Sequence, residues 1–429
     1  MNDLLLLTAN VGSLFEENCK IKDSWEAGLL KSINAQSAKI LIIHFQEVGG
    51  KHFEQFSPFV EPLIKELFDK LTDYSSAIGF LDLEYDVCEQ YTALGSVIFI
   101  RREYLNCVKI HNFSNSTFES PKNGFTVFSK NLQNVKYMIK KKFPKELWTT
   151  IKWGRKGLLH TKIEFNGEPI NLVNVHLFHD DSNIACHQNP NLYSNNRANA
   201  MNYVLNYIND NKGNKESYYI FGDFNFRLNL KTFLEKITQK TLAHHISPLD
   251  EGSKINGFNL HAPVTHSCSN SSVEMTDNES KSNFTKSGRV SESICTIAAI
   301  EFRPDPCIKK SKLFDAEVVL RIEKKRFLYV DPQSLIKNWH QYLTDDHEVA
   351  MYKDLHECQI SFPPTYPWSE DPDQFSNFME TRPPAWCDRI LMNNFAWSKL
   401  QNVSQLSYDS VGKEYCMGDH KPVYLSFKL

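Results

Sequence analysis

The sequence predicts an α/β fold built on β-sheet whose strands do not all run one way, and three observations carry that prediction. Short, bulky apolar runs recur along the 429 residues, amphipathic helical stripes lie between some of them, and polar side chains punctuate the strand ends. The runs span 4–9, 40–45, 94–100, 170–178, 218–221, 390–392 and 423–427. Leu63, Ile64, Leu67, Phe68 and Leu71 make one helical stripe, with Pro62 in its first turn. Ala200, Met201, Val204, Leu205 and Ile208 make another, placed between two strand runs as a crossover is. Residues 264–293 are dense in Ser, Asn and Thr and poor in large apolar groups, which reads as a disordered insertion in an otherwise single domain over 1–429. The chain reads as helical again around 313–330 and as irregular and Pro-rich over 362–384.

The polar punctuation has an order. Asn10 closes the first run, Gln46 and Glu47 the second, Asn174 and His176 lie late in the fourth, and Asp223 and Asn225 follow the fifth. Asp388 instead precedes its strand, and so do Asp419 and His420. In an all-parallel sheet those two groups lie at opposite edges. If they form one site, the sheet is mixed, and a doubly wound nucleotide-binding fold is the weaker reading. Neither G-x-G-x-x-G nor G-x-x-x-x-G-K-[ST] occurs to rescue it.

Composition narrows the chemistry. With 48 Lys+Arg against 51 Asp+Glu the net charge is −3, so there is no global positive field for non-specific nucleic-acid binding. Any anionic ligand must meet a local basic pocket. The ten cysteines are scattered with no C-x-x-C pair, against a zinc ribbon, a thioredoxin site or a disulfide scaffold. Neither a signal peptide nor a membrane span is visible, and a reduced cytoplasmic protein is the expectation.

Carboxylates, carboxamides and histidines without thiolates suit a hard divalent ion such as Mg²⁺. Such an ion, a carboxylate to orient water and a histidine beside the phosphoryl group make a phosphate-ester hydrolase. No Cys has Arg six positions later, so the cysteine-phosphatase loop is missing, and there is no H-E-x-x-H.

At these residues the sequence resembles the inositol polyphosphate 5-phosphatases, members of the wider endonuclease/exonuclease/phosphatase fold. Phe221-Gly222-Asp223-Phe224-Asn225-Phe226-Arg227 and Pro384-Ala385-Trp386-Cys387-Asp388-Arg389-Ile390-Leu391 look like the two signatures of that family. Phe362-Pro363-Pro364-Thr365-Tyr366 and Gly418-Asp419-His420-Lys421-Pro422-Val423 match two further segments. TANVGSLFE, HFQEVGGK, TALGS, VHLFHD and CMGDHKPV read like the type I members, which act on soluble inositol phosphates.

The resemblance implies a four-layer sandwich, two packed mixed β-sheets with helices outside. It implies Mg²⁺-dependent removal of the 5-phosphate from inositol 1,4,5-trisphosphate and inositol 1,3,4,5-tetrakisphosphate, ending a calcium-mobilising signal. Glu47 is then a metal ligand with Asn10 nearby, and Asp419 touches the metal region. Asp223 orients or deprotonates the attacking water, and Asn225 holds a phosphoryl oxygen. His176 and His420 donate to the non-bridging oxygens, where charge must be neutralised during in-line attack. Asp388 orients His420. Arg382, Tyr366, Lys156 and Arg389 fall to the substrate, Arg382 facing the ring's 4-phosphate.

Two departures bear on substrate. Pro367 and Glu380 stand where lipid-cleaving members often carry a base, which favours a soluble inositol polyphosphate over a lipid headgroup. The Lys140-Lys141-Lys142 run offers a weak peripheral contact with an anionic membrane, the alternative being a solvated face. The sequence ends Ser426-Phe427-Lys428-Leu429, without the prenylation box common in type I relatives, which leaves stable anchoring at the plasma membrane in doubt. The rival readings are a lipid 5-phosphatase at membranes, a nuclease of the wider fold, and a non-catalytic inositol-phosphate-binding module.

Overall fold

The computed structural model describes residues 1–15, 21–148, 152, 154–210, 216–248, 297–307, 316–401 and 403–429. The 264–293 insertion lies outside these. The described strands are β1 Asn2–Asn10, β2 Ala38–Gln46, β3 Tyr74–Leu81, β4 Gly95–Arg101, β5 Val108–Asn112, β6 Thr117–Glu119, β7 Gly124–Phe128, β8 Met138–Lys142, β9 Gly157–Phe165, β10 Glu168–His176, β11 Ser217–Asp223, β12 Thr241–Ile246, β13 Ala299–Pro304, β14 Leu320–Glu323, β15 Arg326–Tyr329, β16 Leu355–His356, β17 Asp388–Asn393, β18 Leu406–Ser410 and β19 Val423–Phe427. Each of the seven apolar runs falls on a strand, with only Leu94, Leu177 and Phe178 beyond the strand ends.

One sheet has the order β18-β19-β1-β2-β4-β3-β7, and a second has β16-β17-β11-β10-β9-β5-β6 with β8 also pairing β9. Both are mixed. The pairs β1–β2, β3–β7 and β10–β11 are parallel, whereas β1–β19, β11–β17 and β10–β9 are antiparallel. The parallel pair β10–β11 is joined through the helix Leu192–Asp210, the crossover that the second stripe anticipates.

Side-chain alternation explains why the runs are continuous rather than polar every second residue. Leu4, Leu6, Ile40 and Ile42 point between the sheets onto Leu172, Phe221, Ile390 and Met392. Their neighbours Leu5, Leu7, Leu41 and Ile43 point outward, onto Trp25, Leu29 and Ile33 of helix Ile21–Gln36 and Leu63, Ile64 and Leu67 of helix Val60–Lys70. On the far side Val173, Val175, Ile220 and Leu391 meet Ala200, Met201, Val204 and Ile208. With both faces of each sheet covered, an apolar group is favoured at each position, a buried Leu contributing roughly 1.5–3 kcal/mol. The result is the four-layer sandwich.

A third sheet, β12-β13-β14-β15, packs Ile300, Leu320, Ile322 and Phe327 into the same core as Phe233 of helix Leu230–Ile237. This corrects the helical reading of 313–330: from Leu320 onward the segment is the hairpin β14–β15. Leu320 and Ile322 are buried, while Arg321 and Glu323 point out and pair with each other at 2.7 Å. That period of two was masked by the preceding Val318-Val319. The Lys140–Lys142 run is likewise no free basic row. Lys140 is buried on Asp82 at 2.8 Å, the Lys141 ammonium lies over the Tyr207 ring and the Lys142 ammonium donates to the Cys88 carbonyl. No helix among the described residues is long and apolar enough to cross a membrane.

Candidate active site

Strand direction assembles the site. β1, β2, β10 and β11 end at one edge of the sandwich, delivering Asn10, Glu47, His176 and Asp223. Antiparallel β17 and β19 begin at that same edge, with Asp388 opposite Asp223 and Val423 opposite Thr8. The residues that precede their strands therefore meet those that follow theirs. Gly222 permits the close seat of β11 on β10, since a Cβ there would lie 2.0 Å from the Val175 carbonyl oxygen.

Beneath the edge the two sheets are pinned by polar groups. Asn174 donates to the carbonyls of Phe45 and Gly95 at 3.0 and 2.8 Å and accepts from Gln46 at 2.8 Å. Asn174 is thus a fastening between the sheets.

Asp223 sits at the centre. Its Oδ2 accepts from Asn10 Nδ2 at 3.0 Å and lies 3.2 Å from His176 Nε2 and 4.0 Å from His420 Nε2. Its Oδ1 accepts the Asn225 backbone N–H at 2.9 Å, in a turn with Asn225 at φ 53°. Burial works against its charge, but His420, His176 and Lys156 overcome that and hold the carboxyl far below the usual carboxylate range. The group is an anion that accepts hydrogen bonds and does not keep a proton.

His420 is its counterpart. Nδ1 lies 2.8 Å from Asp388 Oδ2, which also accepts the Thr365 hydroxyl at 2.7 Å. The Thr365 oxygen in turn accepts the backbone N–H groups of Cys387 and Asp388. Burial alone would neutralise the imidazole, yet Asp388, Asp223 and Asp419 raise it to about 10. His420 therefore carries its proton at neutral pH, with Nε2 free to donate toward the site. His176 differs: burial and the ammonium of Lys156, against the same ring nitrogen, lower it, so the ring is neutral. Burial brings Lys156 down to about 8.

Glu47 adopts φ 57° at the end of β2, a left-handed conformation uncommon for Glu. Burial opposes its charge, but His176, Arg155 and Lys156 hold it at about 2. Contacts of 3.6, 3.2 and 4.0 Å run from Glu47 through His176 and Asp223 to His420, so the two ends of the constellation belong to one connected cluster.

The donor set fits a hard cation. Glu47 Oε2 and Asn10 Oδ1 converge over Gly12, where an added Cβ would lie 2.8 and 3.2 Å from them. Both are oxygens, as Mg²⁺ requires. Asp223, Asp388 and His420 are also mutually close, but the His420 imidazolium repels a cation. Asp419 lies beside this region, its Oδ1 2.6 Å from the Ser13 hydroxyl.

The substrate candidates divide. Tyr366 packs its ring 4.6 Å from that of His420, beneath the Arg227 guanidinium. Arg382 donates to Asn183 Oδ1 at 2.7 Å and to the carbonyls of Asp180 and Asp181, bracing the loop after β10. Arg389 is a correction. It follows Asp388 along a strand and so points to the opposite face, where it is buried with Glu357 and Asp346 and donates to the Trp386 carbonyl. It cannot face the substrate. Thr365, Arg155 and Ser13 carry no signal in the sequence: Thr365 and Ser13 stand inside family-like motifs, and nothing in the pattern distinguishes their side chains.

A family model described as Endonuclease/Exonuclease/phosphatase family 2 matches residues 7–275 and 325–426. A Caenorhabditis elegans protein named as a probable type I inositol 1,4,5-trisphosphate 5-phosphatase is 38% identical over the whole of both chains. The Homo sapiens inositol polyphosphate-5-phosphatase A is 34% identical, covering 99% of this chain and 93% of its own. Among solved structures, the inositol polyphosphate 5-phosphatase domain of SPsynaptojanin, in complex with inositol (1,4)-bisphosphate and calcium ion, aligns over 99% of this chain and 83% of its own, at 12% identity and a TM-score of 0.45.

Proposed function

This chain belongs to the Endonuclease/Exonuclease/phosphatase family 2, among its inositol polyphosphate 5-phosphatases, and on that footing we propose that it removes the 5-phosphate of soluble inositol 1,4,5-trisphosphate and inositol 1,3,4,5-tetrakisphosphate with Mg²⁺, in the cytoplasm, ending a calcium-mobilising signal. The observation that carries the reading is the convergence of His176 and His420 on one Asp223 oxygen.

Glu47 and Asn10, with Asp419 beside them, would hold a divalent ion, which would supply positive charge to the phosphate. Asp223 accepts a hydrogen bond from the attacking water and fixes its line of approach, while Asn10 and the Asn225 N–H fix Asp223. His420 donates through Nε2 to a non-bridging oxygen, its imidazolium kept charged by Asp388. On the other side the positive charge comes from Lys156, whose ammonium meets Nε2 of neutral His176 beside Asp223. The Asn225 side chain donates to the Leu177 carbonyl at 3.2 Å and accepts from Arg227 at 2.9 Å, which leaves one amide N–H for another phosphoryl oxygen. Hydrolysis is direct, without an enzyme-bound phosphate. Tyr366 belongs to the substrate side and Arg382 braces the loop beside it, and 1–429 works as one catalytic unit carrying the 264–293 insertion. Pro367, Glu380 and the inward turn of Lys140 favour soluble substrate over lipid.

Phosphate release from both soluble substrates, a short-chain phosphoinositide and DNA, with Mg²⁺ and with chelator, tests the reading. Release from the soluble pair alone, abolished by chelator, is expected. Faster release from lipid moves the assignment to membranes, and binding without release makes the chain a module.

A further inference from the structure

Ser13 takes no part in the chemistry above, yet it joins three distant segments of the site. Its Oγ lies 2.6 Å from Glu370 Oε1 and 2.6 Å from Asp419 Oδ1, and it accepts the Asp419 backbone N–H at 3.2 Å. Those contacts span 357 and 406 positions of sequence. Ser13 itself stands on the turn Gly12–Phe15 that follows Asn10, and it is 4% exposed. On its far side the Asp419 carbonyl accepts the Trp368 N–H at 2.9 Å. Gly418 leaves no slack, since a Cβ there would lie 2.9 Å from Ser13 Cβ. The residue after this pinned aspartate is His420.

We propose that Ser13 is a positioning residue: its hydroxyl separates the carboxylates of Asp419 and Glu370 and so sets the distance of His420 from Asp223. One hydroxyl offers one proton and two lone pairs. It donates to one carboxylate, accepts from the Asp419 N–H and stands as a spacer before the other carboxylate, while Lys51 balances Glu370 from outside at 3.5 Å. Without the hydroxyl, two like charges face each other across the gap with no donor between them. Their separation pulls the 418–420 turn away from the Asn10 turn and carries the imidazole with it. The inference rests on the 5-phosphatase reading for its kinetic consequence but not for its geometry.

The test compares Ser13→Ala, Glu370→Gln and the double variant. In Ser13→Ala we expect kcat on inositol 1,4,5-trisphosphate to fall roughly tenfold or more with little change in KM, because displacement of a donor acts on the transition state. Glu370→Gln alone stays near wild type. In the double variant the new amide donates to Asp419 and removes the repulsion, restoring most of the lost kcat. The ¹⁵N resonances of the His420 imidazole should move in Ser13→Ala and return in the double variant. A Ser13→Ala enzyme with wild-type kcat and unmoved imidazole signals overturns the proposal, as does a loss that the double variant fails to recover. If the wild type releases no phosphate from any substrate, the functional reading fails, and the imidazole signals alone decide the role of Ser13.

Discussion

The side-chain amide of Asn10 donates to Oδ2 of Asp223 at 3.0 Å across 213 positions of sequence. Asn10 ends a strand of one sheet and Asp223 a strand of the other, so this bond crosses the sandwich and ties the Asn10 turn to the Asp223 carboxylate. Replacing Asn10 with Asp puts a second carboxylate against Asp223 in place of a donor. We expect kcat to fall by about 10²–10³. A steady-state assay in saturating Mg²⁺ checks it, and a rate near wild type would show that Asp223 needs no such partner.

Asp388 holds the His420 imidazolium, so Asp388→Asn should change the pH profile as well as the rate. The folded pKa of His420, about 10, lies above the unfolded value of roughly 6.5. Its contribution to stability is complete below that unfolded value and is lost as pH rises through about 10. With Asn at 388 the alkaline limb of kcat/KM should move down by about one to three pH units. Profiles measured from neutral to strongly alkaline pH decide it; an unmoved limb would mean that another acid donates.

Arg389 tests the corrected assignment. Its guanidinium is buried between Glu357 and Asp346. Arg389→Met strands both carboxylates and should cost about 3–5 kcal/mol of unfolding free energy. The enzyme that remains folded should keep its KM. A raised KM with unchanged denaturant midpoint would return Arg389 to the substrate.

His44 makes the fold acid-sensitive. Its ring stacks on Phe221 at 3.5 Å between the sheets, with Nδ1 on the Phe221 carbonyl at 3.1 Å. Burial lowers it to about 3, against roughly 6.5 unfolded. Between those values the unfolded chain binds a proton that the folded chain does not. Stability is therefore lost as pH falls through that window, by about 1.4 kcal/mol per pH unit for this group. His44→Gln should flatten the slope by about one proton in urea titrations across that window; an identical slope would place the acid lability elsewhere.

The apolar runs and the two helical stripes were legible because burial on both faces of a sheet leaves a continuous hydrophobic signature in the chain. The third sheet was not, since its hairpin alternates for only four residues on either side of a Lys-Lys turn and follows a pair of valines.

What the sequence determined by itself was the inventory and its order: oxygen and imidazole donors at strand ends, some after their strands and some before, together with the motifs of a known family. That order alone required antiparallel strands if the residues were to meet. Tertiary structure decided everything that depends on direction. Asp388 and Arg389 are neighbours in one motif, yet the strand's twofold alternation sends one to His420 and the other to a buried ion pair. Glu370 and Asp419 became partners of Ser13 only when three remote segments closed on one edge. Composition and spacing record which groups a chain carries, but charge state and role follow from what surrounds each group, and only the folded chain supplies those surroundings.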